Sequence, residues 1–229
     1  MTKTSGQPAG TRGAGTTKKS PPRARQRLPR AERQELVLAK AAEYFSEHGL
    51  NAQTRAIAQA CGVSQRLLYS LFSSKEALIE EVYKREIAGL FNAIWFVRLK
   101  DRSVPLEARL IEFYRDYYES LLTRRWLRLF LYSSLGGLHM APTYTDAVVT
   151  HALEIIVREA AHDAKLGLPE TLDELTEVGW MLHGAVSHLA IRRHLYENSN
   201  TTPPERVIEM SVRAFLASLP AVLPAQQPV

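Results

Sequence analysis

The segment over residues 54–72, TRAIAQACGVSQRLLYSLF, constrains the fold more than any other part of the chain. Apolar residues from Ile57 to Cys61 form a narrow stripe at helical spacing, with Thr54 as the predicted cap and Gly62 as the predicted stop. A second short helix then begins at Ser64. Two helices of about eight residues joined by a glycine-containing turn predict a helix-turn-helix, although such hairpins also occur in ordinary helical bundles.

The rest of the chain also favours helices. The first helix begins near Arg30 and ends at Gly49, and an unbroken helix of over twenty residues is predicted from Ser74 to near Asp101. No stretch shows sustained strand alternation with hairpin signals, so the predicted fold class is all-α, with a three-helix amino-terminal domain followed by a larger helical domain. Further helices are predicted over about 104–123, 125–136, 142–166, 170–196 and 204–219.

Charge is distributed unevenly along the chain. Residues 1–30 carry eight basic and no acidic side chains, whereas the remaining 21 basic and 24 acidic residues give the rest a charge of −3. Residues 1–29 are rich in Gly, Ser, Thr and Pro, and we expect a disordered basic tail. Such a tail is typical of a segment attracted to a polyanion such as nucleic acid, and the alternative is a solvated appendage that aids solubility.

Several classes of protein do not fit the sequence. No apolar run approaches the roughly 18 residues that cross a bilayer, and the first residues lack the apolar core of a signal peptide. We therefore expect a soluble, cytoplasmic protein with no membrane partner. The single cysteine, Cys61, cannot form an internal disulfide, and its apolar surroundings predict a buried side chain.

One combination of residues resembles a known family. The motif fixes a turn glycine, a core leucine, an aromatic residue and a lysine together, as in the amino-terminal domain of the tetracycline-repressor (TetR) family of bacterial regulators. It reads Thr54-Arg55-x-Ile57-Ala58, Gly62-Val63-Ser64-x-x-x-Leu68-Tyr69-x-x-Phe72 and Lys75-Glu76-x-Leu78. The resemblance implies a DNA-binding domain over residues 30–78 and a regulatory and dimerisation domain over residues 79–222.

The same resemblance implies a transcriptional regulator and favours a repressor. Such a protein binds a palindromic double-stranded DNA operator as a dimer and is released by a small-molecule effector. The residues that the resemblance and the helix geometry assign to DNA binding are Thr54, Arg55, Ser64, Gln65, Arg66, Leu67, Tyr69 and Lys75.

The residue types support individual roles at the DNA. The amino-terminal residues of a recognition helix face base edges, and glutamine suits adenine whereas arginine suits guanine, so Gln65 and Arg66 are candidate base readers. Leu67 would face thymine methyl groups or stand as an exposed apolar residue. The resemblance gives Tyr69 and Lys75 phosphate contacts. The structural alternatives are that Tyr69 packs against Phe45 and that Thr54 only caps its helix.

An enzyme is the alternative from a different class. The sequence contains no phosphate loop of the Walker type, no nucleophile-elbow serine and no His-Glu-x-x-His pair, so we expect no enzymatic activity and no cofactor. Glu159 and His162 would share a helix face, as in an all-helical metal-dependent enzyme, but a second such motif is missing. His151 lies about 16 Å from His162 along the helix, which is too far for one ion. The sequence therefore predicts no metal site.

The larger domain contains residues that suit an effector pocket and a dimer interface. Its aromatic residues with a few polar groups suit a small apolar or aromatic ligand, and the candidate contacts are Tyr114, Tyr118, Trp126, Phe130, His139, Trp180 and His183. An accessory DNA-binding protein without an effector is the alternative. Apolar residues on two faces of 170–196, together with 204–219, predict a four-helix bundle in a homodimer. Of the two faces, one contains Val178, Leu182, Ala185 and Leu189 and the other contains Trp180, Gly184, Ser187 and Ile191; one would pack on the chain's own domain and the other on the partner.

Overall fold

The computed structural model describes residues 28–196 and 199–226, within which the chain is helical and the only β contact is an isolated bridge between Leu166 and Ala225. The predicted tail, residues 1–29, therefore lies almost wholly outside the described residues. The helices are α1 (Arg30–His48), α2 (Thr54–Cys61), α3 (Gln65–Leu71), α4 (Lys75–Glu86), α5 (Ile94–Leu99), α6 (Leu106–Ser120), α7 (Arg124–Leu135), α8 (Met140–Tyr144), α9 (Thr150–Ala164), α10 (Leu172–His194) and α11 (Pro204–Val222). The all-α fold class is confirmed.

Helices α2 and α3 pack against the buried face of α1. Val37, Ala41 and Phe45 are completely buried there, at the spacing that places side chains on one face of a helix. Gly49 ends α1 as predicted, with a positive φ of 79° that a side chain would oppose. The predicted cap at Thr54 is wrong, because Gln53 holds the extended N-cap position and Thr54 is the first helical residue.

The predicted unbroken helix after Ser74 is also wrong. Helix α4 ends at Glu86, a 3₁₀ turn spans Ala88–Leu90, and α5 begins at Ile94. Glycine at position 89 weakens the helix, and the side-chain oxygen of Asn92 accepts a hydrogen bond from the Ile94 backbone N–H at 3.1 Å. The break allows an aromatic cluster to form, in which the Trp95 ring lies 5.3 Å from that of Phe91 and 5.9 Å from that of Phe113.

The larger domain is built around α6, α9, α10 and α11, at nearly the predicted positions. The predicted helix over 142–166 contains a π-helical turn, Thr145–Val149, between α8 and α9. Helices α9 and α10 pack tightly where Gly179 faces Leu153. In the part of the chain that the structure describes, no helix combines the length and the apolarity that crossing a bilayer requires.

Helix α7 joins the two domains through polar contacts with the end of α1. The guanidinium of Arg128 donates hydrogen bonds to the carbonyl oxygens of Ser46 and Glu47, the latter at 2.8 Å, and to the Tyr132 hydroxyl at 2.8 Å. Arg124 forms an ion pair with the Glu47 carboxylate at 3.8 Å. The last carbonyls of a helix lack partners within it, so Arg128 satisfies groups that α1 leaves open.

Candidate functional site

Helix α3 is held in place at both ends. Its N-cap residue, Ser64, accepts a hydrogen bond from the Leu67 backbone N–H at 3.1 Å, as the sequence predicted. Leu68 is buried and anchors the helix against the domain core. At the other end the Arg30 guanidinium donates to the Ser70 carbonyl oxygen at 2.9 Å. These contacts fix the direction in which the first turn of α3 projects.

The first turn of α3 projects its long polar side chains outward. Gln65 and Arg66 are exposed and Leu67 is half-buried, so the three residues that the sequence assigned to base contacts lie at the free tip. Tyr69 is 49% exposed, so about half of its side chain is open to solvent. Its hydroxyl lies 3.2 Å from the hydroxyl oxygen of Thr54 and links α3 to the start of α2.

The basic residues of this surface lie at helix starts. Arg55 is exposed in the first turn of α2, and Lys75 is the first residue of α4, behind the capping hydroxyl of Ser74. Residues 54–75 contain three basic and no acidic side chains, whereas four of the five acids between Ala31 and Leu78 lie on α1. Between Ala31 and Leu78 five basic and five acidic residues cancel, but the stretch from α2 to the start of α4 is basic, because all the acids except Glu76 lie on α1.

A pocket of about 150 Å³, partly open to the surface, lies between helices of the larger domain, and four of the seven predicted ligand contacts line it. The rings of Trp126 and Phe130 on α7 stack nearly parallel, with centroids 4.8 Å apart. Trp180 and His183 contribute from α10, and their ring centroids are 5.2 Å apart. Tyr117, one of the aromatic residues of this region, also lines the pocket, and the lining residues that sequence reasoning missed are Leu122, Leu127, Leu131, Thr145, Val149, Ser187 and Ile191.

The other three predicted contacts do not line this cavity. Tyr114 is completely buried in the core, with its ring centroid 6.0 Å from that of His183, and Tyr118 lies beside His194. Tyr117, which lies between these two residues in the sequence of α6, lines the cavity instead. His139 lies in a separate groove of about 340 Å³ between α4 and α8.

Two polar atoms of the cavity residues have no hydrogen-bond partner among the residues that the structure describes. They are Nε1 of Trp126 and Nδ1 of His183, and the two side chains are 5% and 3% exposed. Burial lowers the pKa of His183 to about 4, so its imidazole is neutral at pH 7. An unpaired buried donor or acceptor is costly, so these two atoms lower the stability of the core around them.

One of the two predicted stripes of α10 borders the cavity. Trp180, Ser187 and Ile191 line it, and a Cβ at Gly184 would meet no atom of the described residues within 4 Å. The outward surface of α10 instead presents residues with exposed apolar or small side chains. With the neighbouring exposed residues of α11, this surface comprises Met181, Ala185, His188, Met210, Ala214 and Ala217.

The carboxylate of Glu159, a candidate metal ligand in the sequence, has other partners. Glu159 forms ion pairs with Arg102 at 2.9 Å and with Arg109 at 3.1 Å, and Arg102 also lies 3.0 Å from Nε2 of His162. The hydrogen bond from Arg102 lowers the pKa of Glu159 below its usual value. Across residues 28–196 and 199–226, no group of three or more His, Cys, Asp or Glu side chains could hold a metal ion.

Comparisons with known proteins agree with this geometry. Residues 37–82 match the sequence model described as "Bacterial regulatory proteins, tetR family", whereas no curated protein matches the chain. A TetR-like transcriptional regulator from Rhodococcus sp. RHA1 superposes with a TM-score of 0.60 and 19% identity, covering 83% of this chain and 99% of that one. A TetR family transcriptional regulator from Pseudomonas syringae gives a TM-score of 0.59 and 20% identity, covering 80% and 95%.

A third solved structure, the Flavonoid-responsive Regulator FrrA, gives a TM-score of 0.53 and 22% identity, covering 82% of this chain and 97% of its own. At these identities the structural likeness shows the fold. Residues 37–82 thus match the model of the tetR family of bacterial regulatory proteins, and the chain shares the fold of solved regulators that are described as members of that family.

Proposed function

We propose that this protein is a DNA-binding transcriptional repressor that reads its operator with the first turn of α3. The observation that carries this proposal is the acid-free surface over residues 54–75, from which Gln65 and Arg66 project at the tip of a helix fixed at both ends. Long polar side chains at such a tip reach base edges in the major groove. Arg55, Tyr69 and Lys75 surround the tip and supply contacts to phosphates.

The proposal separates a base contact from a phosphate contact, and two variants test it. Replacing Arg66 by Ala should weaken binding to the preferred operator by about 1–3 kcal/mol and relax the preference at one base pair. Replacing Lys75 by Ala should weaken binding to all sequences alike. The probe is the sequence selected from a random duplex library by the full chain, compared with a scrambled duplex. An equal loss on both duplexes for Arg66→Ala would assign Arg66 to the phosphates.

We further propose that two copies of the chain bind a palindromic operator. The support is the outward surface of α10 and α11, which exposes Met181 and Met210 among small residues that allow close approach of a second helix pair. Two such helices from each protomer would form a four-helix bundle around a twofold axis. A monomer at micromolar concentration in light scattering would contradict this assembly.

Release by a small-molecule effector is the third part of the proposal. Its support is the aromatic cavity between α6, α7 and α10, together with the position of α7. Trp126 and Phe130 face the cavity from α7, while Arg124 and Arg128 of the same helix contact the end of α1. A ligand that displaces α7 would therefore move α1 and with it α3. The flavonoid-responsive neighbour is consistent with an aromatic effector, and the cavity favours this function over an effector-independent accessory protein.

A further inference from the structure

The end of α1 has two carbonyl groups that one side chain of α7 binds. The Phe45 carbonyl oxygen accepts a hydrogen bond from the Gly49 backbone N–H at 2.9 Å. The next two carbonyl oxygens, of Ser46 and Glu47, accept hydrogen bonds from the Arg128 guanidinium. The carboxyl end of a helix carries a partial negative charge, which favours a cation there. Arg128 therefore caps α1 from outside the DNA-binding domain.

Arg128 is itself held in a defined position. Its guanidinium donates to the Tyr132 hydroxyl at 2.8 Å, and its side chain is only 21% exposed. The Tyr132 ring lies against Gly49, because a Cβ on that glycine would meet ring carbons at 3.7 Å. The planar fork of an arginine presents several donors at fixed angles, whereas a lysine presents one compact ammonium. A lysine at this position would therefore not bridge the same groups.

The DNA-binding domain meets the larger domain at the end of α4 and at the end of α1. Helix α4 ends at Glu86 and is followed by a 3₁₀ turn, so it does not continue into the larger domain as one rigid rod. Domains that share a small polar interface move relative to each other unless a contact restrains them. The contact between Arg128 and α1 supplies such a restraint. Because α3 packs on α1, the restraint also fixes the direction of α3.

We propose that Arg128 is a positioning residue that determines which spacing between operator half-sites the dimer accepts. This inference rests on the proposed function, because it requires two copies of the chain on one palindrome. Successive base pairs are about 3.4 Å apart and rotated by about 35°, so one added base pair both shifts and turns a half-site. Two firmly held α3 helices match one spacing, whereas loosely held helices accept several.

Binding to a series of duplexes tests this role. Each duplex contains two copies of the half-site from the selected operator, with the spacing changed by one or two base pairs in either direction. A further duplex contains a single half-site. We expect the unaltered chain to prefer one spacing by at least about tenfold, because a misplaced half-site loses at least one base contact. Equal binding to all spacings by the unaltered chain would overturn the proposal.

Variants of two arginines locate the effect. Arg128→Met removes the guanidinium, so the preference for one spacing should fall towards one while the affinity for the single half-site stays the same. Arg158→Met removes the same charge from an ion pair with Glu154 within α9, and it should keep the preference. A preference that persists in Arg128→Met would overturn the assignment. An equal loss of affinity for the single half-site and for every spacing would do so too, since it would indicate a structural role alone.

A conservative variant covers the case in which Arg128→Met does not fold. Arg128→Lys keeps the positive charge but cannot bridge the two carbonyl groups of α1. It should accept more spacings than the unaltered chain, and an unchanged preference would refute the role of the guanidinium. Circular dichroism establishes that each variant is folded.

A measurement without DNA separates this role from the proposed function. Spin labels at two exposed positions, introduced by Gln59→Cys on α2 and Asp163→Cys on α9 in a chain with Cys61→Ala, report the distance between the domains. Pulsed electron paramagnetic resonance on labelled chains diluted with unlabelled protein should show a narrow distribution that Arg128→Met broadens. Broadening in a protein that binds no duplex would refute the repressor and support Arg128 as the positioning residue between the domains. Duplex binding with an unchanged distribution would support the repressor and refute the role of Arg128.

Discussion

Replacing glycine by alanine at two positions of α10 is expected to change the stability of the protein in opposite directions. A Cβ at Gly179 would lie 2.7 Å from Cβ and 3.2 Å from Cα of Leu153, whereas a Cβ at Gly184 meets no atom of the described residues within 4 Å. Leu153 is completely buried, so it has no open space into which to move. We therefore expect Gly179→Ala to strain the contact between α9 and α10, and Gly184→Ala to leave the packing of the protomer unchanged.

The expected magnitude follows from two opposing terms. Replacing a glycine inside a helix by alanine stabilises the helix by about 1 kcal/mol at either position. Overpacking a closely packed contact costs about 1–3 kcal/mol, and this cost applies only at position 179. The Gly179 variant should thus be less stable than the Gly184 variant by about 1–3 kcal/mol. For a chain of this size, the melting temperatures should then differ by about 3–10 °C.

Thermal melts followed by circular dichroism would measure this difference. A series of protein concentrations separates the stability of the protomer from dimerisation, since Gly184 lies on the face that we propose for the partner. If Gly179→Ala melted at the same temperature as Gly184→Ala or above it, α9 and α10 would not pack as closely as described. The α10 wall of the cavity would then also be placed wrongly.

Three further predictions concern the ion pairs, the dimer and the tail. Glu159→Gln should lower the free energy of unfolding by about 3 kcal/mol, because Arg109 stays buried without its anionic partner. Glu107 forms an exposed ion pair with Arg213, so Glu107→Gln should lower the free energy of unfolding by less than about 1 kcal/mol. Because its folded pKa is lowered, Glu159 stabilises the protein above pH 4.5, and denaturant titrations should show the difference shrinking as the pH falls below that value. Ala185→Glu should weaken the dimer at least about tenfold in sedimentation equilibrium, and an unchanged dimer would exclude this face of α10. Residues 1–29 carry seven basic side chains and lie largely outside the described residues. If three of those charges meet phosphates, deleting the segment should make the slope of log affinity against log salt concentration shallower by about 3 per chain. Equal slopes with and without the segment would make the tail a solvated appendage.

Local signals were enough to predict the helix-turn-helix. The cap at Ser64 and the stops at Gly49 and Gly62 depend on residues within one turn of the chain, and the structure has all three in place. The break after α4 was missed, because nonlocal packing of Trp95 on α6 competes with the helical preference of the same residues. Asn92 was the local signal that could have marked it, since it is well suited to begin a helix.

The cavity could be predicted only in part. The positions of Trp126, Phe130, Trp180 and His183 follow from aromatic residues at helical spacing, but the choice between Tyr117 and Tyr118 depends on the rotation of α6 against its neighbours. The π-helical turn left no periodic signal in the sequence. The spacing of Arg124 and Arg128 marks a polar face of α7, yet their partners are groups at the end of α1, more than 70 residues away in the chain.

Cys61 gives the unmodified protein a natural reporter of its own opening. It is the only thiol in the sequence and is 2% exposed, and its sulfur lies 3.7 Å from the Val37 carbonyl oxygen of α1. Burial raises the pKa of the thiol, which further suppresses reaction in the closed state. A thiol reagent can therefore reach the sulfur only when α2 separates from α1. The rate at which Cys61 is labelled thus measures how often the two helices separate. A duplex or a small molecule that changes the labelling rate does so by shifting that equilibrium, which makes communication between the two domains measurable without any added probe.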